Sequence, residues 1–207
     1  MGIAIILRSQ LPINQFRDLL IGSIATGAGN NALLCSGFFQ ENFKSSSYQV
    51  SNENNFGLEV AKSKIKLDTV GIHNPTWKPS YKNFRDNMRS YGANIHCYYK
   101  NGLHWHAKVY ILSHDDEPIF GIIGSSNLTR NAFGSVQNFN YECDVVLWPD
   151  ECVSINDWMN SQMESHDFPF DIIRAPYIVD LNNDITVQER LINLKNEILE
   201  SGITELD

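Results

Sequence analysis

Long hydrophobic runs are missing from this chain. The N-terminal apolar stretch, Ile3 to Leu7, is stopped by Arg8, whereas a membrane span needs about 20 apolar residues. An export leader needs a longer apolar core as well. Neither a membrane protein nor a secreted one is expected, and the reading is a cytoplasmic protein. Cysteine is sparse and unpatterned. Cys35, Cys97, Cys143 and Cys152 show no C-x-x-C spacing, which disfavours a zinc ribbon or a thiol redox motif and fits reduced core thiols. Positive charge is also in short supply, with 16 Lys and Arg against 24 Asp and Glu for a net −8. That balance alone argues against a partner rich in phosphate.

The distribution of charge reverses that argument. Residues 60–130 hold 10 basic and 5 acidic side chains, while residues 131–207 hold 3 basic and 15 acidic ones. Lys62, Lys64, Lys66, Lys78, Lys82, Arg85 and Arg89 can line a groove for a polyanion, or can be solvated faces. The acidic C-terminal segment can fold back over such a groove as a phosphate mimic. A hydrophobic fraction of 43% supports a real core. The length suits one domain of about 150 residues with an appendage. The expected boundary falls at residue 165, with a catalytic domain before it and an acidic extension over 166–207.

Periodicity gives the elements. Ile13, Phe16, Leu20 and Ile24 follow Pro12 at helical spacing and stop at the turn Thr26-Gly27-Ala28-Gly29. Ala32 to Phe39 and Ile65 to Ile72 read as strands, with a polar loop over Ser45 to Asn55 between them. Tyr81, Phe84, Met88 and Tyr91 form one stripe behind Pro79, and Gly92 terminates it. Ile95, Cys97 and Tyr99 alternate as a strand. Asn101-Gly102 then predicts a hairpin into the next strand. A later helix carries Ile155, Trp158, Met159 and Met163 inward behind Ser154. Beyond His166 the texture changes, with Pro169 and Pro176 interrupting it. A capping box at Thr186 and Glu189 opens a last helix at about 186–201, with Val187, Leu191, Leu194 and Ile198 in a narrow stripe. That helix should pack on the domain or on a second copy. Helices alternating with strands indicate an α/β sandwich around a mixed sheet.

The chemistry concentrates in Leu103-His104-Trp105-His106-Ala107-Lys108-Val109-Tyr110-Ile111-Leu112 and in Gly124-Ser125-Ser126-Asn127-Leu128-Thr129. Strand alternation puts His106 and Lys108 on one face. The strand Pro118 to Ile123 can lie beside the first and bring Ser125 and Asn127 to the same sheet end. Downstream stands Asn140-Tyr141-Glu142-Cys143-Asp144-Val145-Val146-Leu147. An imidazole, an ammonium, a hydroxyl and a carboxamide then converge where a phosphate can sit.

One His-x-Lys, one Gly-Ser-x-Asn and a following acid resemble the signature of the phospholipase D superfamily over roughly Ala32 to Met163. The variant looks most like that superfamily's metal-independent restriction endonucleases. The resemblance implies an αβα sandwich with a single copy of the half-site motif. It implies His106 as nucleophile, Lys108 and Asn127 on the phosphate oxygens, Ser125 in support and Glu142 orienting the histidine. It also implies no cofactor or metal, a homodimer sharing one site, and DNA as substrate, with RNA or single-stranded DNA as alternatives. Little chain remains after His166 for sequence recognition, so either a specificity or helicase subunit is a further partner or the chain is a catalytic fragment whose reader is absent. One departure stands out. Many members carry an acid soon after the lysine, and here the chain reads Ile111-Leu112-Ser113, with Asp115 and Asp116 placed as hairpin-turn residues.

Duller readings compete. A strand histidine is often structural, and Gly124 to Asn127 can be a plain turn or helix cap. Glu142 can be an ordinary strand-end acid. His104 shares a face with His106 and can touch substrate or be buried. A His104–His106 pair joined by Asp144 or Cys143 would make a zinc hydrolase. The same fold could also take a phospholipid as substrate, or serve as a binding module without catalysis.

Overall fold

A computed structural model gives the fold, describing residues 2–9, 13–72, 74–100, 106–164 and 171–207. In chain order the strands are β1 Gly2–Arg8, β2 Asn31–Ser36, β3 Lys66–Ile72, β4 Asn94–Lys100, β5 Lys108–His114, β6 Glu117–Gly124, β7 Glu142–Trp148, β8 Ile172–Pro176 and β9 Thr204–Glu205. The helices are α1 Gln15–Ala25, α2 Phe56–Ser63, α3 Lys78–Ser90, the short α4 Arg130–Phe133, α5 Val153–Glu164 and α6 Val187–Glu200. The strands form one sheet in the order β8-β1-β7-β6-β5-β2-β3-β4-β9. Only the β2–β3 and β3–β4 pairs are parallel; the rest run antiparallel.

Alternation along the strands sorts the core into two layers. Ala4, Ile6, Leu34, Tyr110, Leu112, Phe120, Ile122, Val146 and Trp148 face a helical layer holding Phe16, Leu20, Phe56, Val60, Phe84, Met88, Ile155 and Met159. Leu33, Val109, Ile111 and Leu147 face the other way and meet Val187, Leu191 and Ile198 of α6. Helices on both faces of a mixed sheet make the αβα sandwich. Close approach of α6 requires Gly121, because a Cβ there would stand 2.4 Å from Leu191 Cδ2. Thr186 caps α6 reciprocally with Glu189, as the capping-box spacing predicts.

Local signals hold for α1, with Asn14 as its cap, and for the Pro79 helix. They also hold for the β5–β6 hairpin, whose turn residues Asp115 and Asp116 have φ of 46° and 73°, as a tight two-residue turn demands. The expected hairpin from the Tyr99 strand into the Lys108 strand is overturned. β4 and β5 are separated in the sheet by β3 and β2, because β4 pairs in parallel with β3 through the α3 crossover. Asn101 and Gly102 themselves lie outside the described residues. The polar loop at 45–55 contains a 3-10 turn, Val50–Asn55, that buries Val50 and Ser51.

Three strands escaped the periodicity reading. Ile3 to Leu7 is the middle of β1, held between β7 and β8. The segment after residue 170 supplies β8, α6 and β9 to the same sheet and core. The groove cover expected of that acidic segment is not seen among the described residues. α6 packs on the face away from α1, α2, α3 and α5, tied by Lys195 to Asp116 at 3.1 Å.

All four cysteines are free, with Cys35 and Cys97 buried and Cys143 exposed. Among the described residues, no helix is long and apolar enough to cross a membrane.

Candidate active site

The antiparallel run β5–β6–β7 brings the two motifs to one end of the sheet. Lys108 opens β5 opposite Gly124, the last residue of β6. Gly124 in turn stands opposite Asp144 in β7. His106 is exposed and sits just before the strand rather than within it, so the expected shared strand face begins only at Lys108. The two are nevertheless coupled, since Lys108 Nζ donates to the His106 carbonyl at 2.6 Å. Burial pulls the Lys108 ammonium below the usual lysine range, while the carboxylates of Glu142 and Asp144 push it back up.

The Gly-Ser-x-Asn segment leaves β6 and is fastened on both sides. The Ser125 amide donates to the Cys143 carbonyl at 3.1 Å, and the Cys143 amide donates to Ser125 Oγ at 3.0 Å. The Ser125 hydroxyl donates to Glu142 Oε2 in a short contact. Asn140 Nδ2 donates to Glu142 Oε1 at 3.0 Å. Both oxygens of Glu142 are therefore engaged by neighbours in its own site, and His106 is not among its hydrogen-bond partners in the described residues. The expected orienting bond from His106 to Glu142 is thus not present among the described residues. Asn127 Oδ1 accepts from Ser36 Oγ at 3.3 Å, and the Leu128 amide donates to the same hydroxyl at 3.3 Å. Thr129 then caps α4.

Asp144 is the residue whose part the motif reading missed. It is 2% exposed, and it accepts from the Ser126 amide at 3.1 Å and from Ser126 Oγ at 2.6 Å. A Cβ at position 124 would come within 2.0 Å of Asp144 Oδ1, so the motif glycine makes room for this carboxylate. Burial pushes the Asp144 carboxyl above the usual range, against the Ser126 hydrogen bonds that favour the anion. The available signal was parity. Asp144 is two residues from Glu142 in an apolar strand, so it must point to the same buried face.

Arg8 was missed as well. Its guanidinium, 8% exposed, donates to the carbonyls of Asn131 and Ala132 at 2.9 and 2.7 Å and to that of Gly134 at 2.8 Å. It thereby ties β1 to the end of α4, and it stacks under Phe139 at 5.2 Å.

The basic groove is not continuous. Lys62 pairs with Glu59, Lys66 with Asp68 and Arg85 with Asp86. Lys66 lies at the opposite end of its strand from the Lys108 end of the sheet, as the β2–β3 and β2–β5 registers require. Only the start of α3, with Lys78 and Lys82, follows the site end of β3. His104, named in the zinc reading, lies outside the described residues. Among the described residues, no three His, Cys, Asp or Glu side chains gather as a metal cage.

A strand-borne lysine, a Gly-Ser-x-Asn turn and a carboxylate on three adjacent strands define a phospholipase D-type domain, a class that hydrolyses phosphodiester bonds. The model of the NgoFVII restriction endonuclease N-terminal PLD domain family matches residues 39–170, well over half the chain, and the chain belongs to that family. No curated protein sequence matches it. Among solved structures, it is similar to the phospholipase D family member Nuc from Salmonella typhimurium, at 15% identity over 86% of this chain and 100% of that one, TM-score 0.49. NucT from Helicobacter pylori is similar at 16% identity over 79% of this chain and 97% of that one, TM-score 0.38. Yeast tyrosyl-DNA phosphodiesterase is similar at 14% identity over 70% of this chain and 45% of that one, TM-score 0.41.

Proposed function

We propose that this domain is the nuclease part of a restriction system, cleaving DNA in the cytoplasm through a phosphohistidine, with the active site shared by two copies of the chain. The observation that carries the reading is the level row Lys108–Gly124–Asp144 across β5, β6 and β7. It gathers His106, Ser125, Asn127 and Glu142 at one edge of the sheet. One copy of the His-x-Lys motif supplies one imidazole, and cleavage by a histidine nucleophile needs a second for the leaving group. A two-fold dimer provides it by symmetry.

In the first step a neutral His106 ring nitrogen attacks phosphorus. A P–N bond forms, the P–O bond breaks, and the partner's His106 gives its proton to the leaving oxygen. In the second step the partner's His106, now neutral, takes a proton from water. The resulting hydroxide attacks phosphorus, the P–N bond breaks, and His106 leaves with its electron pair. The paired rings titrate as a unit, which lets identical residues take opposite roles. Lys108 and Asn127 hold the non-bridging oxygens as charge develops. Ser125 and Glu142 fix the turn that presents Asn127. A separate specificity or helicase subunit would choose where the domain cuts.

The test incubates the protein with plasmid, single-stranded DNA, RNA and a small phosphodiester reporter in excess EDTA, beside His106→Ala. DNA cleavage in EDTA that disappears in the variant is expected. Cleavage abolished by EDTA and restored by zinc would replace the model with a metal hydrolase, and turnover of the small phosphodiester reporter alone would change the substrate. Mixing wild-type and His106→Ala subunits should give heterodimers that do not turn over; fully active heterodimers would refute the shared site.

A further inference from the structure

Beside the Gly-Ser-x-Asn turn the surface carries aromatic rings that the core does not require. Ser36, whose hydroxyl meets Asn127, also donates to the Phe38 carbonyl at 3.1 Å. The Phe38 ring packs edge-on against Phe43 with centroids 5.0 Å apart. It tilts by 38° over Trp77 at 5.2 Å. All three rings are half-buried. The layer beneath is already filled by Phe39, Tyr81 and Phe84, which are 1%, 5% and 0% exposed.

Lysines lie on the same surface. Lys44 Nζ lies 5.2 Å from the Phe43 centroid and Lys78 Nζ lies 5.0 Å from that of Tyr99. Lys78 and Lys82, with Pro75 and Pro79, line a surface cavity of about 470 Å³. Among the described residues, none of Lys44, Lys78 and Lys82 forms an ion pair, unlike Lys62, Lys66 and Arg85. The nearby carboxylate of Glu41 is buried and spent on Ser51 and Asn87.

Half-buried aromatic rings at the surface beside unneutralised lysines are what a strand of nucleic acid needs when its bases are unpaired. Bases stack on the rings and phosphates meet the ammonium groups. A paired base inside a duplex has no free face to offer. We propose that Phe38, Phe43 and Trp77, with Lys44, Lys78 and Lys82, form a subsite for an unstacked nucleobase and the phosphates beside it, on a strand running into the candidate active site. This rests on the nuclease reading of that site and adds that the substrate is single-stranded, or locally opened, where it meets the enzyme.

The test is a binding titration, so that it reads the subsite whatever the catalytic fate of the site. His106→Ala protein is titrated with fluorescent oligothymidylate, oligouridylate and a fully paired duplex. Trp77→Ala should weaken single-strand binding by about tenfold or more, the size expected for loss of one stacked base. Trp77→Phe should restore most of it, and an unchanged urea midpoint in Trp77→Ala should show that the loss is not one of folding. Lys78→Ala combined with Lys82→Ala should flatten the salt dependence, by roughly 0.7 in log–log slope for each single-strand phosphate that is no longer neutralised. The tighter of the two single strands names the source of the base. Unchanged binding in Trp77→Ala, no rescue by Trp77→Phe, or a duplex bound as tightly as the single strands would overturn the subsite.

Discussion

Removing the carboxylate of Asp144 should cost more than removing any exposed member of the motif. Its two oxygens satisfy the amide and hydroxyl of Ser126, both in a residue 1% exposed. Truncation to alanine leaves those two donors buried without partners, at about 1–3 kcal/mol each. Against this, the variant no longer buries a carboxylate, which returns part of the loss. A net destabilisation of about 2–4 kcal/mol follows. For a domain of this size that is a drop in Tm of about 5–15 °C.

Asp144→Asn keeps an acceptor for the Ser126 amide and can donate to Ser126 Oγ, so it should stay within about 1 kcal/mol of wild type at neutral pH. The two variants also differ in pH dependence. Burial raises the folded-state pKa of Asp144, so the folded chain holds that proton more tightly than the unfolded one. Its favourable contribution is full below the ordinary carboxylate range and is lost as pH rises through the raised folded value. Urea denaturation from acidic to neutral pH should therefore show wild type losing stability relative to Asp144→Asn as pH rises. Equal stability of Asp144→Ala and wild type at neutral pH, or a wild type that gains on Asp144→Asn with rising pH, would refute the reasoning.

Further expectations concern the lysine and the second face of the sheet. Lys108→Met should slow DNA cleavage by about 10²–10³, as for loss of one preorganised donor, and a residual rate near wild type would remove Lys108 from the phosphate. Because burial lowers the Lys108 pKa, wild-type activity should fall at alkaline pH before an ordinary lysine titrates, and Lys108→Arg should move that limb upward in a pH–rate profile. Leu191→Ala should destabilise the fold by about 2–5 kcal/mol in urea titrations, since Leu191 is fully buried against Gly121; a loss under about 1 kcal/mol would mean that α6 is dispensable to the core.

Much of the site was legible because its signals are local. A lysine at the start of one strand, and a turn motif at the end of the next, need only the β5–β6 hairpin to meet, and Asp115-Asp116 announces that hairpin. The α3 and α6 stripes were legible for the same reason, their caps being written in adjacent residues. What escaped was non-local. The Asn101-Gly102 pair reads as a hairpin, yet the parallel β2–β3–β4 pairings send β4 to the far side of the sheet. Ile3 to Leu7 contains nothing that names β7 and β8 as its neighbours. The lysines of residues 62–66 cannot disclose from sequence that Glu59 and Asp68 neutralise two of them. Asp144 was hidden by its setting, since an acid inside an apolar run looks like an exception until Ser126 and Gly124 are seen around it.

The placement of β1 bears on how the molecule comes into being. Gly2–Arg8 finds its hydrogen-bonding neighbours far along the chain, at 142–148 and 172–176. Arg8 likewise waits for the carbonyls of residues 131–134. Partners so distant in sequence pair slowly, and until they arrive β1 is an apolar edge seeking any strand. The end of the sheet that carries Glu142, which pairs with Arg8, is thus completed only when these distant segments have met.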